Sequence, residues 1–236
     1  MGTIGIKISK LSVVFLGVLL LTASVSRQLP AVFVIGDSIS MQYGPFLEQY
    51  LQGTWDYDRK RNEGADSSNL DQPAGANGGD SGMVLDYLRE KVKDPAFRPD
   101  LMLINCGLHD IKTNVQTGEK QVSLDDYRRN LEQIYALLEE RGIRMAWIRT
   151  TPVDDETHNS RQQSFHRYAA DVAVYNAVAD VVFTSRNVPI IDLHGFTGNL
   201  GNDRFIDHVH FGEETRAAQA AYIAGYLAGF RSVLSN

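Results

Sequence analysis

Two short polar segments of the sequence contain residue types that together can transfer an acyl group. One is Gly36–Ser38, which directly follows an apolar run, and the other is Asp207–His210, near the C-terminus. A serine hydroxyl becomes an effective nucleophile when a histidine takes its proton and a carboxylate holds that histidine in the right tautomer. Asp207 and His210 stand three residues apart, so a single loop can pair them. We therefore predict that Ser38, His210 and Asp207 form a catalytic triad.

The residues around Ser38 also predict where a negatively charged oxygen could be stabilised. Gly36 lets the chain turn sharply after the apolar run, and Ser38 then stands at the start of a helix. The first N–H groups of a helix have no intrahelical acceptor, so they can stabilise an oxyanion that forms beside the nucleophile. The Gly-Asp-Ser triplet is also common in turns and helix caps. Alone, it does not distinguish an active site from a structural turn.

Four short blocks in a fixed order make this chain resemble the GDSL/SGNH hydrolases, and the resemblance extends over most of residues 31–236. The first block of that family, an apolar strand followed by Gly-Asp-Ser, is matched by Ile35–Ser38. The last block, Asp-x-x-His before the final helix, is matched by Asp207–His210. The second block resembles Asn77–Ser81, and the third, normally Gly-x-Asn-Asp, resembles Gly107–Asp110. The resemblance implies a serine esterase that uses no cofactor and no metal.

The resemblance also implies three donors to the oxyanion. They are the N–H of Ser38, the N–H of a glycine in the second block and a side chain in the third. For the glycine we choose Gly79, because the family's glycine is often followed by Asp and then Ser or Thr, and Gly78 is the alternative. His109 replaces the family's third-block asparagine. A histidine ring can donate as well. We expect His109 to donate to the oxyanion and to titrate at about pH 6.5, so that activity depends on two histidines. The alternative is that His109 has turned away from the oxyanion and the site is weakened.

Apolar runs of strand length alternate with longer segments of helical period along the chain. The strand candidates are residues 31–35, 55–60, 101–106, 144–149 and 188–193, and the helix candidates are residues 41–51, 83–92, 124–140, 162–182 and 213–233. Strands that alternate with helices form βαβ units, and continuously apolar strands belong to a parallel sheet covered on both faces. We therefore predict an α/β fold, a three-layer α/β/α sandwich with a five-stranded parallel sheet like that of flavodoxin. Ligands of such sheets bind beyond the carboxyl ends of the strands.

The first 26 residues have the pattern of a secretory signal peptide. Lys7 and Lys10 precede an uncharged apolar run that ends at Ala23, and small residues follow it. The run is short for a membrane anchor, which needs about 20 apolar residues, and an uncleaved anchor is the alternative. We predict a signal peptide over residues 1–26, a hydrolase domain over residues 27–236, and a secreted or periplasmic protein that is not stably inserted in a membrane.

Charge and cysteine content narrow the classes of partner. The formal net charge is −6, and it becomes −8 when the segment that holds Lys7 and Lys10 is removed. An acidic surface disfavours nucleic acid, because phosphate binding requires clusters of lysine and arginine. The single cysteine, Cys106, lies in an apolar run, so we predict a buried residue rather than a nucleophile. The expected partner is a small-molecule or glycan ester.

For the reaction, we predict hydrolysis of a carboxylic ester, and an O-deacetylase acting on carbohydrate is the first choice. A lysophospholipase or thioesterase of the same family is the alternative. Less favoured are a metallophosphoesterase with scattered His and Asp ligands and a non-catalytic ester- or glycan-binding module, which only the His109 replacement supports. An α/β-hydrolase is disfavoured because its nucleophile elbow requires Gly-x-Ser-x-Gly, and Ser40 occupies the last of these positions.

Overall fold

The computed structural model describes residues 1–2, 28–62, 64, 69–161, 164–201 and 204–234, with side chains described up to residue 230. The predicted signal peptide therefore lies almost entirely outside the described residues. Within these ranges, no helix combines the length and the apolar character that crossing a membrane requires.

Five parallel strands form the central sheet. They are β1 (Ala31–Ile35), β2 (Asp56–Arg59), β3 (Leu101–Ile104), β5 (Arg144–Ile148) and β7 (Ile190–Ile191), in the order β2-β1-β3-β5-β7. Two further short strands, β4 (Thr113–Asn114) and β6 (Phe165–His166), pair antiparallel as a separate ribbon. Strand β3 is buried along its whole length, and β1 is buried except at its first residue. This matches the continuous apolar runs, which parallel strands need because both of their faces are covered.

The helices form two groups, one on each side of the sheet. Helices α1 (Ser38–Leu51), α6 (Leu193–Gly198) and α7 (Glu213–Leu234) pack together, as do α2 (Ser81–Lys91), α3 (Leu124–Glu140) and α5 (Ala169–Thr184). The short helix α4 (Asp155–Arg161) follows β5 and contacts β6. The predicted three-layer α/β/α sandwich with a five-stranded parallel sheet is confirmed.

The predicted helix over residues 162–182 is wrong at its start. In the structure α4 ends at Arg161, β6 follows, and α5 begins only at Ala169. The backbone of Phe165 and His166 pairs with β4, and the side chain of Arg167 is buried. These tertiary contacts outweigh the local helical pattern, as they often do where propensity is the only guide.

Three loops are tied together at the carboxyl edge of the sheet. The Asn105 N–H, just beyond β3, donates to the Ile35 carbonyl at 3.0 Å, and the Asn105 side-chain amide donates to the Ile148 carbonyl at 2.9 Å. The Gly78 N–H donates to the Gly36 carbonyl at 2.8 Å. The first three sequence blocks therefore meet at one edge, where ligands of doubly wound sheets bind.

Candidate active site

Ser38 is the first residue of α1, directly beyond β1. Asp37 caps this helix, because its Oδ1 accepts the Ile39 N–H at 3.0 Å and its main-chain oxygen accepts the Ser40 hydroxyl at 2.7 Å. Ser38 is largely buried. Its own N–H lies in the first turn, where N–H groups lack intrahelical acceptors. The local sequence thus places a hydroxyl oxygen and a helix N-terminus at the same point.

His210 is held by a tight loop in front of α7. An isolated bridge between Phe205 and Phe211 closes the loop, and the Ile206 N–H donates to the His210 carbonyl at 2.9 Å. Inside the loop, Asp207 Oδ1 accepts the N–H groups of Val209 at 2.8 Å and of His210 at 2.7 Å. Helix α7 packs against α1, and this packing brings the loop to the start of α1.

The structure brings the three predicted triad residues into one hydrogen-bonded chain. His210 Nε2 lies 3.0 Å from Ser38 Oγ, and His210 Nδ1 lies 2.7 Å from Asp207 Oδ2. Burial alone would raise the pKa of Asp207, but the His210 ring and the two loop N–H groups hold that pKa well below its usual range. Asp207 is therefore a carboxylate that can fix the tautomer of His210. Chemically, this arrangement can deprotonate the serine hydroxyl and return the proton to a leaving group.

Gly79 adopts a backbone conformation that requires glycine. Its φ is +74°, and a Cβ at this position would lie 2.6 Å from Met83 Sδ and 2.8 Å from Pro73 Cβ. The Gly79 N–H donates to Asn77 Oδ1 at 3.0 Å, whereas the Gly78 N–H donates to a main-chain carbonyl at the sheet edge. Both candidate amides thus have acceptors inside the protein. Gly79 stays our choice, because a charged oxyanion is a stronger acceptor than the neutral side-chain oxygen it would displace.

His109 follows β3 and is almost fully buried. Its Nδ1 has no hydrogen-bond partner among the described residues. Burial lowers the pKa of His109 well below its usual value, and the nearby charges of Lys112 and Arg167 lower it further. The expectation that His109 titrates at about pH 6.5 is therefore wrong, because the buried ring lies beside two cations and stays neutral. A neutral histidine can still donate one N–H.

Asp110, the next residue, connects the third block to the second. Its Oδ1 accepts the Ser81 N–H at 2.9 Å, at the start of α2. Burial raises the pKa of Asp110 to about 7. Asp80, the residue between Gly79 and Ser81, caps the same helix through the Met83 N–H at 2.9 Å. The backbone directly after Gly79 is therefore fixed at the start of α2.

Arg167 is a residue of this region that the sequence did not single out. Its Nε donates to the Leu108 carbonyl at 2.8 Å, and its Nη1 lies 3.1 Å from Asp71 Oδ1. Its side chain is 2% exposed. One buried guanidinium therefore connects the peptide that precedes His109 with the segment around Asp71. No motif or spacing marks Arg167, because the sequence pattern around it resembles the interior of a helix.

A cavity of about 390 Å³ opens beside the catalytic residues and is lined by Asn69, Leu70, Asp71, Asp207 and His210. The lining is polar apart from Leu70. Asn69, Leu70 and Asp71 lie in the connection between β2 and α2. In the part of the chain that the structure describes, no group of three or more His, Cys, Asp or Glu side chains is arranged to hold a metal ion.

His208 is half-buried, and its ring packs against a buried histidine, His158. The ring centroids of His208 and His158 lie 4.2 Å apart. His158 is fully buried, and neither of its ring nitrogens has a hydrogen-bond partner among the described residues. Burial lowers the pKa of His158 to about 4, and Arg167 and His208 also lower it. The neutral form of His158 thus supports the loop that carries His210.

Because His158 is buried in its neutral form, we expect the protein to lose stability in acid. In the unfolded chain His158 has a pKa of about 6.5, so the unfolded state binds its proton more strongly than the folded state does. The contribution of neutral His158 to the free energy of unfolding is complete above about pH 6.5. It falls by at most about 3 kcal/mol as the pH is lowered towards 4. Thermal unfolding between pH 7 and pH 4 should therefore show a flatter Tm profile for His158→Phe than for the wild type.

A matched control replaces a half-buried histidine of the same region, His166→Phe. This variant should keep the wild-type slope of Tm against pH. If His158→Phe keeps the wild-type slope too, His158 is not a source of the acid sensitivity.

Comparisons with known proteins identify a family and similar folds. The family model of the GDSL-like lipases and acylhydrolases matches residues 34–218. The fold is similar to that of a lipase/acylhydrolase from Enterococcus faecalis, with a TM-score of 0.60 and 18% identity over 85% of this chain and 96% of that chain. It is also similar to the acetyl xylan esterase AlAXEase, with a TM-score of 0.60 and 16% identity over 83% and 98%. Est24, a carbohydrate acetylesterase from Sinorhizobium meliloti, aligns with a TM-score of 0.59 and 12% identity over 85% and 99%. No curated protein sequence gives a significant match.

Proposed function

The chain belongs to the GDSL-like lipase/acylhydrolase family and is a hydrolase of ester bonds, and from this premise we propose that it is an exported serine esterase that removes O-acetyl groups from carbohydrate. The observation that carries the proposal is the hydrogen-bonded chain Ser38–His210–Asp207 beside an open cavity. The 3.0 Å distance between His210 Nε2 and Ser38 Oγ suits proton transfer.

In the proposed mechanism, Ser38 Oγ attacks the ester carbonyl while His210 Nε2 takes the hydroxyl proton. The carbonyl oxygen becomes an oxyanion, which the N–H groups of Ser38 and Gly79 and the ring of His109 stabilise. His210 then gives its proton to the departing alcohol, and the acyl group remains on Ser38. A water molecule then attacks the acyl carbon while His210 Nε2 takes a proton from it. The bond to Ser38 Oγ breaks, the acid leaves, and His210 returns the proton to Ser38. Asp207 stabilises the imidazolium that forms in each half.

A short acyl group and a polar alcohol fit the described lining best. Asn69, Asp71 and Asp207 present polar groups to the cavity, and among the described residues Leu70 is the single apolar side chain in its lining. A long fatty acyl chain would need a continuous apolar surface, because each buried CH₂ contributes about 0.8 kcal/mol. Two of the similar structures are an acetyl xylan esterase and a carbohydrate acetylesterase, which supports the same substrate class.

A chain-length series tests the substrate class. We expect kcat/KM for p-nitrophenyl esters to be highest for acetate and to fall as the acyl chain grows, and acetylated oligosaccharides to release acetate. Ser38→Ala serves as the control for background hydrolysis. A maximum at long acyl chains, without release of acetate from oligosaccharides, would support the lysophospholipase or thioesterase alternative instead.

Metal removal tests the metallophosphoesterase alternative. The proposed mechanism uses only Ser38, His210, Asp207 and N–H donors, so dialysis against EDTA should leave kcat/KM for p-nitrophenyl acetate unchanged. Loss of activity that Zn²⁺ or Mg²⁺ restores would contradict the serine mechanism.

Export is the remaining part of the proposal, and it rests on the pattern of residues 1–26. N-terminal sequencing of the protein from its native host should find a chain that begins at about Arg27. Recovery of Lys7 and Lys10 in a membrane fraction would favour an uncleaved anchor.

A further inference from the structure

A second cavity lies next to the catalytic one. Its volume is about 380 Å³, and its lining includes Lys112, Glu119, Lys120, Gln121 and Phe165. The Lys112 ammonium donates to the main-chain oxygen of Asp71 at 2.8 Å, and Asp71 also lines the catalytic cavity. The two cavities therefore share a wall, and Lys112 stands on it. We call the second space the Lys112 cavity.

Lys112 is held close to the catalytic machinery from two sides. Its N–H donates to the His109 carbonyl at 3.3 Å, so it stands one turn after the proposed oxyanion donor. Its ammonium lies 4.6 Å from the centre of the Phe165 ring. The side chain is thus fixed in direction, with its charge at the boundary between the two cavities.

The carboxylates around Lys112 have other partners. Asp71 Oδ1 pairs with Arg167, and Asp171 pairs with Lys120. Asp80 accepts the Met83 N–H at one oxygen and the Gln121 amide at the other. Among the described residues, Lys112 has no carboxylate within ion-pair distance. Glu119, the carboxylate in the lining, is exposed, and its Oε2 accepts the Thr117 hydroxyl at 3.3 Å. A half-buried cation without an ion-pair partner is unusual, because partly buried charges are normally paired.

The environment of Lys112 disfavours its charge. Burial lowers the pKa of Lys112 to about 8, and the Arg167 guanidinium lowers it as well. An anion that enters the cavity would offset both effects, since an opposite charge nearby favours the protonated amine. A hydrogen bond between an ammonium and a carboxylate is also stronger than one between neutral groups.

We propose that the Lys112 cavity binds a carboxylate of the substrate, so that the preferred substrate is an acidic ester, such as an O-acetylated oligosaccharide of uronic acids. The inference rests on the proposed esterase function and specifies its substrate. The ester to be cleaved lies at Ser38, and the carboxylate on the same molecule reaches Lys112 across the shared wall. The carboxylate belongs either to the sugar or to the acyl group, and the two sources have the same chemistry at Lys112.

The test compares substrates with and without free carboxylates. One arm uses acetylated trigalacturonate and its carboxyl methyl ester, and the other uses p-nitrophenyl hemisuccinate and p-nitrophenyl butyrate. We expect wild-type kcat/KM to favour the charged member by about 10-fold or more, as a hydrogen bond to a charged group does. Preference in the first arm assigns the carboxylate to the sugar, and preference in the second assigns it to the acyl group.

Three variants identify the residue that recognises the charge. Lys112→Gln should abolish the preference, and Lys112→Arg should retain it. Lys93→Gln removes the same charge from an exposed lysine beyond the end of α2 and should behave like the wild type. Calorimetric binding of trigalacturonate, weaker for Lys112→Gln than for the wild type, gives a readout that does not depend on hydrolysis.

Equal kcat/KM for the charged and neutral members in both arms would overturn the proposal, as would a preference that survives Lys112→Gln. Where the first arm shows the preference, unchanged binding of trigalacturonate by Lys112→Gln would also overturn it. The proposed function has its own readout, because p-nitrophenyl acetate carries no carboxylate. If p-nitrophenyl acetate is hydrolysed in a Ser38-dependent way but no charge preference is found, the carboxylate site is wrong and the esterase function stands. If Ser38→Ala hydrolyses p-nitrophenyl acetate as fast as the wild type, the esterase function itself is wrong.

Discussion

Ser38→Ala, His210→Ala and Asp207→Asn should each remove most ester hydrolysis and leave the fold intact. We expect kcat/KM to fall by about 10⁴- to 10⁶-fold for the first two variants and by about 10³- to 10⁴-fold for Asp207→Asn. The reason is the hydrogen-bonded chain itself. Without His210, Ser38 Oγ loses the base that lies 3.0 Å from it, and without the Asp207 carboxylate the ring loses the partner 2.7 Å from its Nδ1. Initial rates with p-nitrophenyl acetate provide the measurement.

Two further variants make this prediction specific. A Ser38→Ala/His210→Ala double variant should be hardly slower than either single variant, because triad members act as a unit. His208→Ala should stay within a few-fold of the wild type, because the His208 ring packs against His158, and the ring nitrogen hydrogen-bonded to Ser38 Oγ belongs to His210. An inactive His208→Ala together with an active His210→Ala would show that the base has been assigned to the wrong histidine.

His109→Ala should lower kcat/KM by about 10²- to 10³-fold, as expected for the loss of one oxyanion donor. His109→Asn should recover most of this loss, because the asparagine amide also donates a neutral N–H. The unpartnered ring nitrogen of the buried His109 agrees with such a role, since a substrate oxygen would give it a partner. Steady-state kinetics of the three proteins provide the comparison.

The pH dependence of kcat/KM distinguishes a His109 that donates a neutral N–H from a His109 that changes its charge during catalysis. His109 stays neutral through the working range, because burial and the charges of Lys112 and Arg167 lower its pKa. Wild type and His109→Asn should therefore show the same dependence of kcat/KM on pH between pH 6 and pH 9. A difference between their profiles would mean that His109 changes charge during catalysis. If His109→Ala matches the wild type at every pH, His109 has no part in the mechanism.

The sheet and the meeting of Ser38 with His210 could be predicted because their determinants are local. Each buried strand is a continuous apolar run, and each polar block directly follows a strand or precedes a helix. The spacing within Asp207–His210 is short enough for one loop to pair the two side chains. Parallel strand topology then brings the loops to one edge, whatever the lengths of the connections between them.

Arg167 and its surroundings could not be predicted, because their determinants are distant in sequence. The contact between Arg167 and Asp71 joins residues 96 positions apart, and β6 exists only because β4 pairs with it. The neutral state of His109 has the same origin, since its pKa depends on burial and on cations that the topology brings together. The last strand was also predicted too long, because Asp192 caps α6 through the Gly195 N–H and ends β7 at Ile191.

Covalent labelling tests the central claim most directly. The wild-type protein is incubated with a fluorophosphonate, which phosphonylates activated serine hydroxyls, and the adduct is located by peptide mass spectrometry. The proposed mechanism predicts one adduct, on Ser38, that forms in step with the loss of esterase activity and forms far more slowly in His210→Ala. An adduct on another residue, or full activity after Ser38 has been labelled, would contradict the assignment of Ser38 as the nucleophile.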